Sequence, residues 1–458
     1  MSKLLLTFYG DDFTGSTDAL EQLTLAGIRT ALFIQPPTPA QLKKFPGLQA
    51  IGVAGKTRSL APAAMERELK PALLALKKLK PRHVHYKVCS TFDSAPHVGS
   101  IGKVMDLASK IFPAPLIPLL VAAPALGRYT IFGQHFARYG IGSAGAIHRL
   151  DRHPSISKHP VTPMTEADLR LHLAKQTKKR IALFDVLQFS LSEKEFLAVF
   201  RQVLAEKPEV VLFDALTAEH VVRIGAVLES VAKKNSPLFS VGSSGIEAAL
   251  AAANLRSSRR ESAHSKIKTN QSGLTSAATN ILIGSGSCSP VTSGQIAWAL
   301  KHGFVEVALD AVALTSVGAT KEISRAAQAA AKQLHAGRSV IVHSTKTGSD
   351  RRVAAKLKGR TAEVLGSALG TVLREAVKQN SVRRICIAGG DTSSYAARAM
   401  GIEALEMIAP LTPGAPLCRA IAPSSPMNGR EVVFKGGQVG GENYFHAISA
   451  VKNVKQPR

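Results

Sequence analysis

At 458 residues, 45% apolar and 20% charged, the chain has the composition of a soluble globular protein with room for two or three cores. Its four cysteines, Cys89, Cys288, Cys386 and Cys418, are scattered without a CxxC pair, which argues against a disulfide framework or a zinc site. The formal charge of +26, from 58 Lys plus Arg against 32 Asp plus Glu, points to anionic ligands.

Strand-like runs come first at LLLTFYG, TALFIQ, AIGVAG, VHYKVC, LLVAAPA, IALFDVL, EVVLFDA and PLFSVG, with helix-like stretches such as TDALEQLTLAG and EKEFLAVFRQVLAEK between them. This alternation predicts an α/β fold with mostly parallel sheets. Over 256–276 the periodicity gives way to polar, basic, Ser-rich sequence, which reads as a linker. A second α/β series follows, with strands at NILIGS, VEVALD, SVIVHS, RRICIAGG and EVVFKG. The expected organisation is therefore a domain over 1–255, a linker over 256–276 and a second domain over 277–458, with a cleft between the two domains.

The basic residues are dispersed over helices, and only 5% of residues are aromatic, so stacking platforms for single-stranded nucleic acid are not evident. A surface that concentrates small anionic substrates is the preferred reading over a nucleic-acid face. The run IFPAPLIPLLVAAPAL (111–126) is broken by prolines and too short to span a bilayer, and the first residues are too little apolar for a signal peptide. A cytoplasmic protein without membrane partners is expected.

Ligands of open α/β sheets bind beyond the carboxyl ends of the strands, so the strand-to-loop junctions carry the functional expectations. In YGDDFTGSTDAL, Asp11 and Asp12 leave the first strand together. Asp18, in the following helix, reads as a dipole-favoured acid. Two adjacent carboxylates repel, and such a pair can bind a polyol or take a proton from an attacking alcohol. GKTRSL supplies Lys56 and Arg58, and a guanidinium suits a carboxylate ligand. YKVCSTFDSAPHVGSIG gathers Lys87, Ser90, Thr91 and Asp93.

In the second half, ILIGSGSCSPVTSGQ and ICIAGGDTSSYAARAMGI each run a strand through a small-residue loop into a helix. Exposed amides at a helix N-terminus are suited to phosphate. FKGGQVGGENYF adds Lys435 and further glycines, and Asp391 reads either as a Mg²⁺ ligand or as a helix cap. The segment HRLDRHPSISKHPVTPM holds His148, Asp151, His153 and His159, but lacks the spacing of a HExxH helix. A loop over the substrate, or an arm against another domain or subunit, is preferred there to a metal site.

Taken in order, DDFTGSTDA, KTRS, KVCSTFDS with GSIG, DRHP with HPVTPM, GSCSPVTSGQ and AGGDTSS resemble the four-carbon acid sugar kinase family, in particular its 3-oxo-tetronate 4-kinase branch, from about residue 5 to 447. The resemblance implies an acid-sugar-binding N-terminal domain and an ATP-binding C-terminal domain that phosphorylate the terminal hydroxyl, O4, of a four-carbon acid sugar. It places nucleotide contacts on Ser287, Gly389, Gly390, Asp391, Thr392 and Gly437, and the sugar-acid side on Asp11, Asp12, Arg58, Ser90, Thr91 and Asp93. ATP with Mg²⁺ is the implied cofactor pair, with Asp12 the first choice of base, Asp11 its rival, and Arg58 the grip on the substrate carboxylate. KVCSTFDS in place of KxDSTLRG favours 3-oxo-tetronate and leaves D-threonate and D-erythronate open; GGDT for GGET and KGGQVG for KSGNFG are further departures. A homodimer, a nucleic-acid-binding protein and a non-catalytic homologue stay open as alternatives.

Overall fold

A computed structural model describes residues 4–140, 144–159, 161–233, 236–261, 280–344 and 360–450. The chain divides into two compact units, Met1–Ser265 and Lys266–Arg458.

In the first unit, eight strands form one parallel sheet: β1 (Leu6–Gly10), β2 (Thr30–Phe33), β3 (Ala50–Ala54), β4 (His83–Lys87), β5 (Ile117–Leu120), β9 (Ile181–Phe184), β10 (Val210–Phe213) and β11 (Leu238–Gly242). Their spatial order is β2-β3-β1-β4-β11-β5-β10-β9. The intervening helices cover both faces, so β1, β3 and β4 are buried along their whole length. Between β5 and β9 a small antiparallel sheet intervenes, made of β6 (Arg128–Ile131), β7 (Gln134–Arg138) and β8 (Ile147–Arg149). Its strands are short and half-polar, so the apolar-run criterion passes over them.

Strand order departs in opposite directions from β1, towards β3 and β2 on one side and β4 and β11 on the other. That arrangement opens a crevice at the carboxyl ends of β1 and its neighbours. In register, Gly10 pairs with Ala54 and with Lys87, so the three following loops start at one level.

The second unit holds β12 (Ile281–Ser285), β13 (Val305–Ala308), β14 (Val340–His343), β15 (Arg384–Ala388), β16 (Ala404–Thr412), β17 (Ala415–Ile421) and β18 (Glu431–Lys435). The order β13-β14-β12-β15-β18 is parallel, and β18, β17 and β16 continue it antiparallel. At the base of the sheet, Arg384 of β15 is buried and grips Glu431 of β18 with two nitrogens, at 2.8 and 2.6 Å, while donating to the Ile448 carbonyl at 2.6 Å. This pins the register of the two strands whose far ends carry the glycine loops.

One expectation is corrected here. The helix Gly245–Glu261 runs past residue 256, where the linker was expected to begin. Arg is a good helix former, so loss of apolar periodicity did not mean loss of helix. The rest of that segment, 262–276, lies outside the described residues.

Candidate active site

In the first unit, β1 ends at Gly10 and delivers Asp11 and Asp12, both buried. Asp12 is the N-cap of the helix Phe13–Leu25. Its Oδ1 accepts from the Gly15 amide at 2.7 Å, and its Oδ2 accepts from Thr14 Oγ1 at 2.7 Å and faces the Arg58 guanidinium at 3.0 Å. A Cβ on Gly15 would stand 2.7 Å from Asp12 Oδ1, so only glycine lets the helix close on the carboxylate.

Asp11 is held differently. Its amide donates to the Lys87 carbonyl at 2.8 Å, but its Oδ1 is buried with no hydrogen-bond partner. Burial, reinforced by the neighbouring Asp12 charge, pushes its carboxyl up to about 8 against the opposing pull of Arg58 and Lys87. Of the two acids, Asp11 is the one with an oxygen left to give.

Arg58 sits in the short 3-10 turn Thr57–Ser59 after β3, where its amide donates to the Asp11 carbonyl at 3.0 Å. Its guanidinium spans Asp12, at 3.0 Å, and Asp93 Oδ2, at 3.9 Å. Gly99, at φ +59°, lies so close that a Cβ there would come 2.5 Å from the Arg58 carbonyl oxygen. The loop after β4 brings Ser90, Thr91 and Asp93 to the same place, all buried, with Thr91 Oγ1 donating to Asp93 Oδ1 at 3.0 Å. Thus Asp11, Asp12, Arg58 and Asp93 form one cluster, and Ser90 and Thr91 belong to the loop that supplies its last acid.

Several buried partners escape sequence reading because the contacts are remote along the chain. His135 of β7 donates its Nε2 proton to the Ser90 carbonyl at 2.9 Å, and Thr130 Oγ1 lies 2.9 Å from its Nδ1. Burial, aided by Arg128, holds this ring down at about 4, so it stays neutral. Arg128 is itself buried and donates to the Leu126, Gly127 and Arg138 carbonyls at 3.1, 3.3 and 3.0 Å. The small sheet therefore props the Ser90–Asp93 loop from behind.

Beneath the acid pair, Lys87 is buried with Nζ 3.2 Å from Asp18 Oδ2. Burial opposes its charge, but Asp18, Glu247 and Asp11 outweigh that and raise its pKa. Glu247, fully buried on the helix Gly245–Glu261, has neither carboxyl oxygen in a hydrogen bond, and its Oε1 lies 3.5 Å from His85 Nε2. Burial pushes Glu247 up to about 8, and burial together with Lys87 pushes His85 down to about 3.

The HRLDRHPSISKHPVTPM segment is tied up internally. Arg149 holds Asp151 by two bonds, at 2.7 and 2.6 Å, and buried His153 Nδ1 accepts from the Ser155 and Ile156 amides at 3.2 and 3.3 Å. Burial, with help from Arg128 and His148, holds His153 down at about 4. His159 Nδ1 accepts from the Thr162 amide at 3.1 Å. Among the described residues no three His, Cys, Asp or Glu side chains gather as a metal site would require.

In the second unit, the loops after β12, β15 and β18 lie side by side. Ser285 pairs with Ala388, and Ala388 with Lys435, so the three strands end at one level. The Gly286 amide donates to the Ala388 carbonyl and the Gly389 amide to the Lys435 carbonyl, each at 3.0 Å. Gly389 has φ +130°, and a Cβ on it would meet the Ser287 amide nitrogen at 3.3 Å. A Cβ on Gly437 would meet Ser289 Cβ at 2.8 Å and Ser287 Oγ at 3.0 Å. Thr392 Oγ1 approaches the Gly286 carbonyl at 3.4 Å, while Gly390 and Asp391 open the helix Gly390–Ala399. Ser287, Gly389, Gly390, Asp391, Thr392 and Gly437 are therefore brought to one floor.

The hydroxyls of Ser285, Ser289 and Ser344 are buried at these strand ends and loops with no hydrogen-bond partner. Orphaned donors beside the N-termini of two helices, Pro290–Lys301 and Gly390–Ala399, fit the oxygens of an anion. Sequence reading passed over the two residues that hold the third loop. Thr292 Oγ1 donates to the Gly437 carbonyl at 3.1 Å, and Gln295 Nε2 donates to the carbonyls of Val439, Gly440 and Gly441, each at 3.0 Å.

Comparison with known proteins agrees with this division of chemistry. Residues 6–250 match the model of a sugar-binding N-terminal domain, and residues 282–445 that of a nucleotide-binding C-terminal domain. A 3-oxo-isoapionate kinase of Paraburkholderia graminis is 42% identical over 97% of this chain and 94% of its own. A 3-oxo-tetronate kinase of Methylobacterium radiotolerans is 28% identical over 96% of this chain and 98% of its own. A crystallised Salmonella typhimurium LT2 protein shares the fold, with a TM-score of 0.73 at 24% identity over 98% of this chain and 99% of its own. Among the described residues no helix is long and apolar enough to cross a membrane. With both domain models and a 42% identical relative spanning nearly its whole length, the chain belongs to the four-carbon acid sugar kinase family.

Proposed function

We propose that the protein transfers the γ-phosphoryl group of ATP to the terminal hydroxyl, O4, of a 3-oxo acid sugar, with 3-oxo-isoapionate placed ahead of 3-oxo-tetronate. The observation that carries the reading is the buried pair in which Asp12 is fully engaged while Asp11 keeps an unpartnered oxygen. The order of the two substrates rests on identity, 42% to the 3-oxo-isoapionate kinase against 28% to the 3-oxo-tetronate kinase.

In this reading Asp11, not Asp12, is the base. A carboxyl with a pKa near 8 is matched to proton transfer at working pH, whereas Asp12 has its oxygens committed to Gly15, Thr14 and Arg58. The hydroxyl oxygen forms a bond to the γ-phosphorus, the bond from that phosphorus to the β,γ-bridging oxygen breaks, and the hydroxyl proton passes to Asp11 as ADP leaves. Arg58 meets the substrate carboxylate from between Asp12 and Asp93, and Ser90 and Thr91 orient the remaining oxygens.

Ser287, Gly389, Gly390, Thr392 and Gly437 line the phosphate floor. Mg²⁺ fits a donor set of this kind, because it takes one or two carboxylates and completes its shell with phosphate and water oxygens. Asp391 is the carboxylate that would hold it, and the ion would neutralise phosphate charge. Positioning and charge complementarity supply the rate enhancement, and the net +26 draws both anionic substrates in.

The test is ADP release with ATP and Mg²⁺ across 3-oxo-isoapionate, 3-oxo-tetronate, D-threonate and D-erythronate. The highest kcat/KM is expected on 3-oxo-isoapionate; turnover confined to the non-oxo acids would reject the acceptor, and none on any acid would reject the kinase reading.

A further inference from the structure

Lys435 ends β18 directly under the glycine loops, and its side chain is completely buried. Its ammonium makes one hydrogen bond, to Thr292 Oγ1 at 3.0 Å, and otherwise lies 5.6 and 6.0 Å from the ring centres of Tyr444 and Phe445. Among the described residues no carboxylate lies within ion-pair distance of it. Other buried cations differ: Arg384 has Glu431, Lys87 has Asp18, and Arg128 spends its guanidinium on three backbone carbonyls.

A buried ammonium with one neutral hydrogen-bond acceptor and two aromatic faces is poorly compensated. Two routes relieve it, loss of the proton or arrival of an anion. The hydrogen-bond chain shows where an anion would be felt, since Thr292 Oγ1 accepts from Lys435 and donates to the Gly437 carbonyl at 3.1 Å. The amine is therefore two hydrogen bonds from the loop that forms one wall of the phosphate floor. Around it stand Cys386 of β15, whose thiol burial pushes up to about 12, Thr292 of the helix Pro290–Lys301, and the rings of Tyr444 and Phe445. None of these brings a negative charge near neutral pH.

We propose that Lys435 is the buried counter-charge of the nucleotide phosphates, acting through Thr292 and the Gly437 loop without touching the ligand, so that nucleotide binding and protonation of this one amine are linked. The inference rests on the nucleotide site proposed above. Burial holds the amine down at about 8 in the free protein, and a phosphate anion nearby raises it. Binding then takes up a proton at pH 8 and above, where the amine is partly neutral, and little at pH 6.5, where it is already charged. Affinity is full below the free-protein value and is lost as pH rises through it. Lys435 is a positioning residue in this scheme.

The experiment is calorimetric titration of the full chain with ATP in saturating Mg²⁺, which keeps the terminal phosphate deprotonated, at pH 8.0 in two buffers of different ionisation heat, repeated at pH 6.5 and with Lys435→Met. Uptake of about half a proton at pH 8.0 is expected in the parent protein. Uptake near zero is expected at pH 6.5 and in the variant, whose affinity should fall about tenfold, or about 1.4 kcal/mol. ATP binding with no proton uptake at pH 8.0 overturns the inference and leaves the kinase reading standing. Undiminished uptake in Lys435→Met assigns the proton elsewhere and also overturns it. Absence of ATP binding altogether removes both. The measurement on the parent protein holds even if the variant does not fold.

Discussion

Lys87 Nζ lies 3.2 Å from Asp18 Oδ2, both groups buried below the turn that carries the acid pair. This one cation answers to Asp18, Glu247 and Asp11. Lys87→Met should therefore destabilise the protein by about 3–5 kcal/mol, because it leaves the buried Asp18 carboxylate without its cation while Asp11 and Glu247 mostly keep their protons at pH 7. Urea unfolding at pH 7 measures it, and a loss under about 1 kcal/mol would mean that the carboxylate is held by something else.

Glu247 makes the opposite prediction. Its folded-state pKa, about 8, lies above the ordinary glutamate value of 4.5, so the folded protein holds the proton that the unfolded chain gives up. The group's contribution is best below about 4.5 and becomes steadily less favourable as pH rises through 8. Glu247→Gln should flatten the stability profile over that window and raise Tm at pH 8. A profile parallel to the parent's would show that Glu247 is not the group that titrates.

For the acid pair, Asp11→Asn should lower kcat by about a thousandfold with ATP affinity unchanged. The parent's kcat/KM for the acid sugar should rise as pH climbs through about 8, where Asp11 loses its proton, and the variant should lack that limb. Asp12→Asn weakens the hold on Arg58 and should act mainly on KM. Steady-state kinetics from pH 6 to 9 separates the two; a larger kcat loss in the Asp12 variant would return the base to Asp12.

Gly99→Ala forces a Cβ to 2.5 Å from the Arg58 carbonyl at a residue with φ +59°. Displacing the turn that carries Arg58 should raise KM for the acid sugar at least about tenfold while leaving ATP affinity intact. Calorimetry with ATP and initial rates against acid sugar give the two readouts.

Gly389→Ala should do the reverse. At φ +130° an L side chain is strained, and its Cβ would crowd the Ser287 amide at 3.3 Å. ATP affinity should drop about tenfold or more with acid-sugar binding retained, as read by separate titrations. Equal losses of both ligands would point to general unfolding instead.

The parallel strands and the loops at their ends are legible in the sequence, because β-branched runs and clustered small residues are local signals. Asp11, Asp12, Arg58 and Asp93 converge in space because neighbouring strands β3, β1 and β4 end in register. Their division of labour was not legible. It depends on Thr14 and Gly15 closing on Asp12, and on burial of Asp11, which is a property of the packed helices. The supports are further still from local pattern: Glu247 meets His85 across 162 residues, and His135 reaches the Ser90 carbonyl across 45. The β6–β8 sheet and β16 left no strong period in sequence, since their burial is partial.

The common level at which Ser285, Ala388 and Lys435 end their strands has a bearing on how the second unit is assembled. Those three positions are separated by about a hundred and about fifty residues of chain, so the proposed phosphate-binding surface is contributed by no single supersecondary unit and matures only once three remote strands have docked. Recovery of ATP affinity during refolding should accordingly trail the return of helical signal, making the nucleotide a reporter for the last stage of the unit's construction.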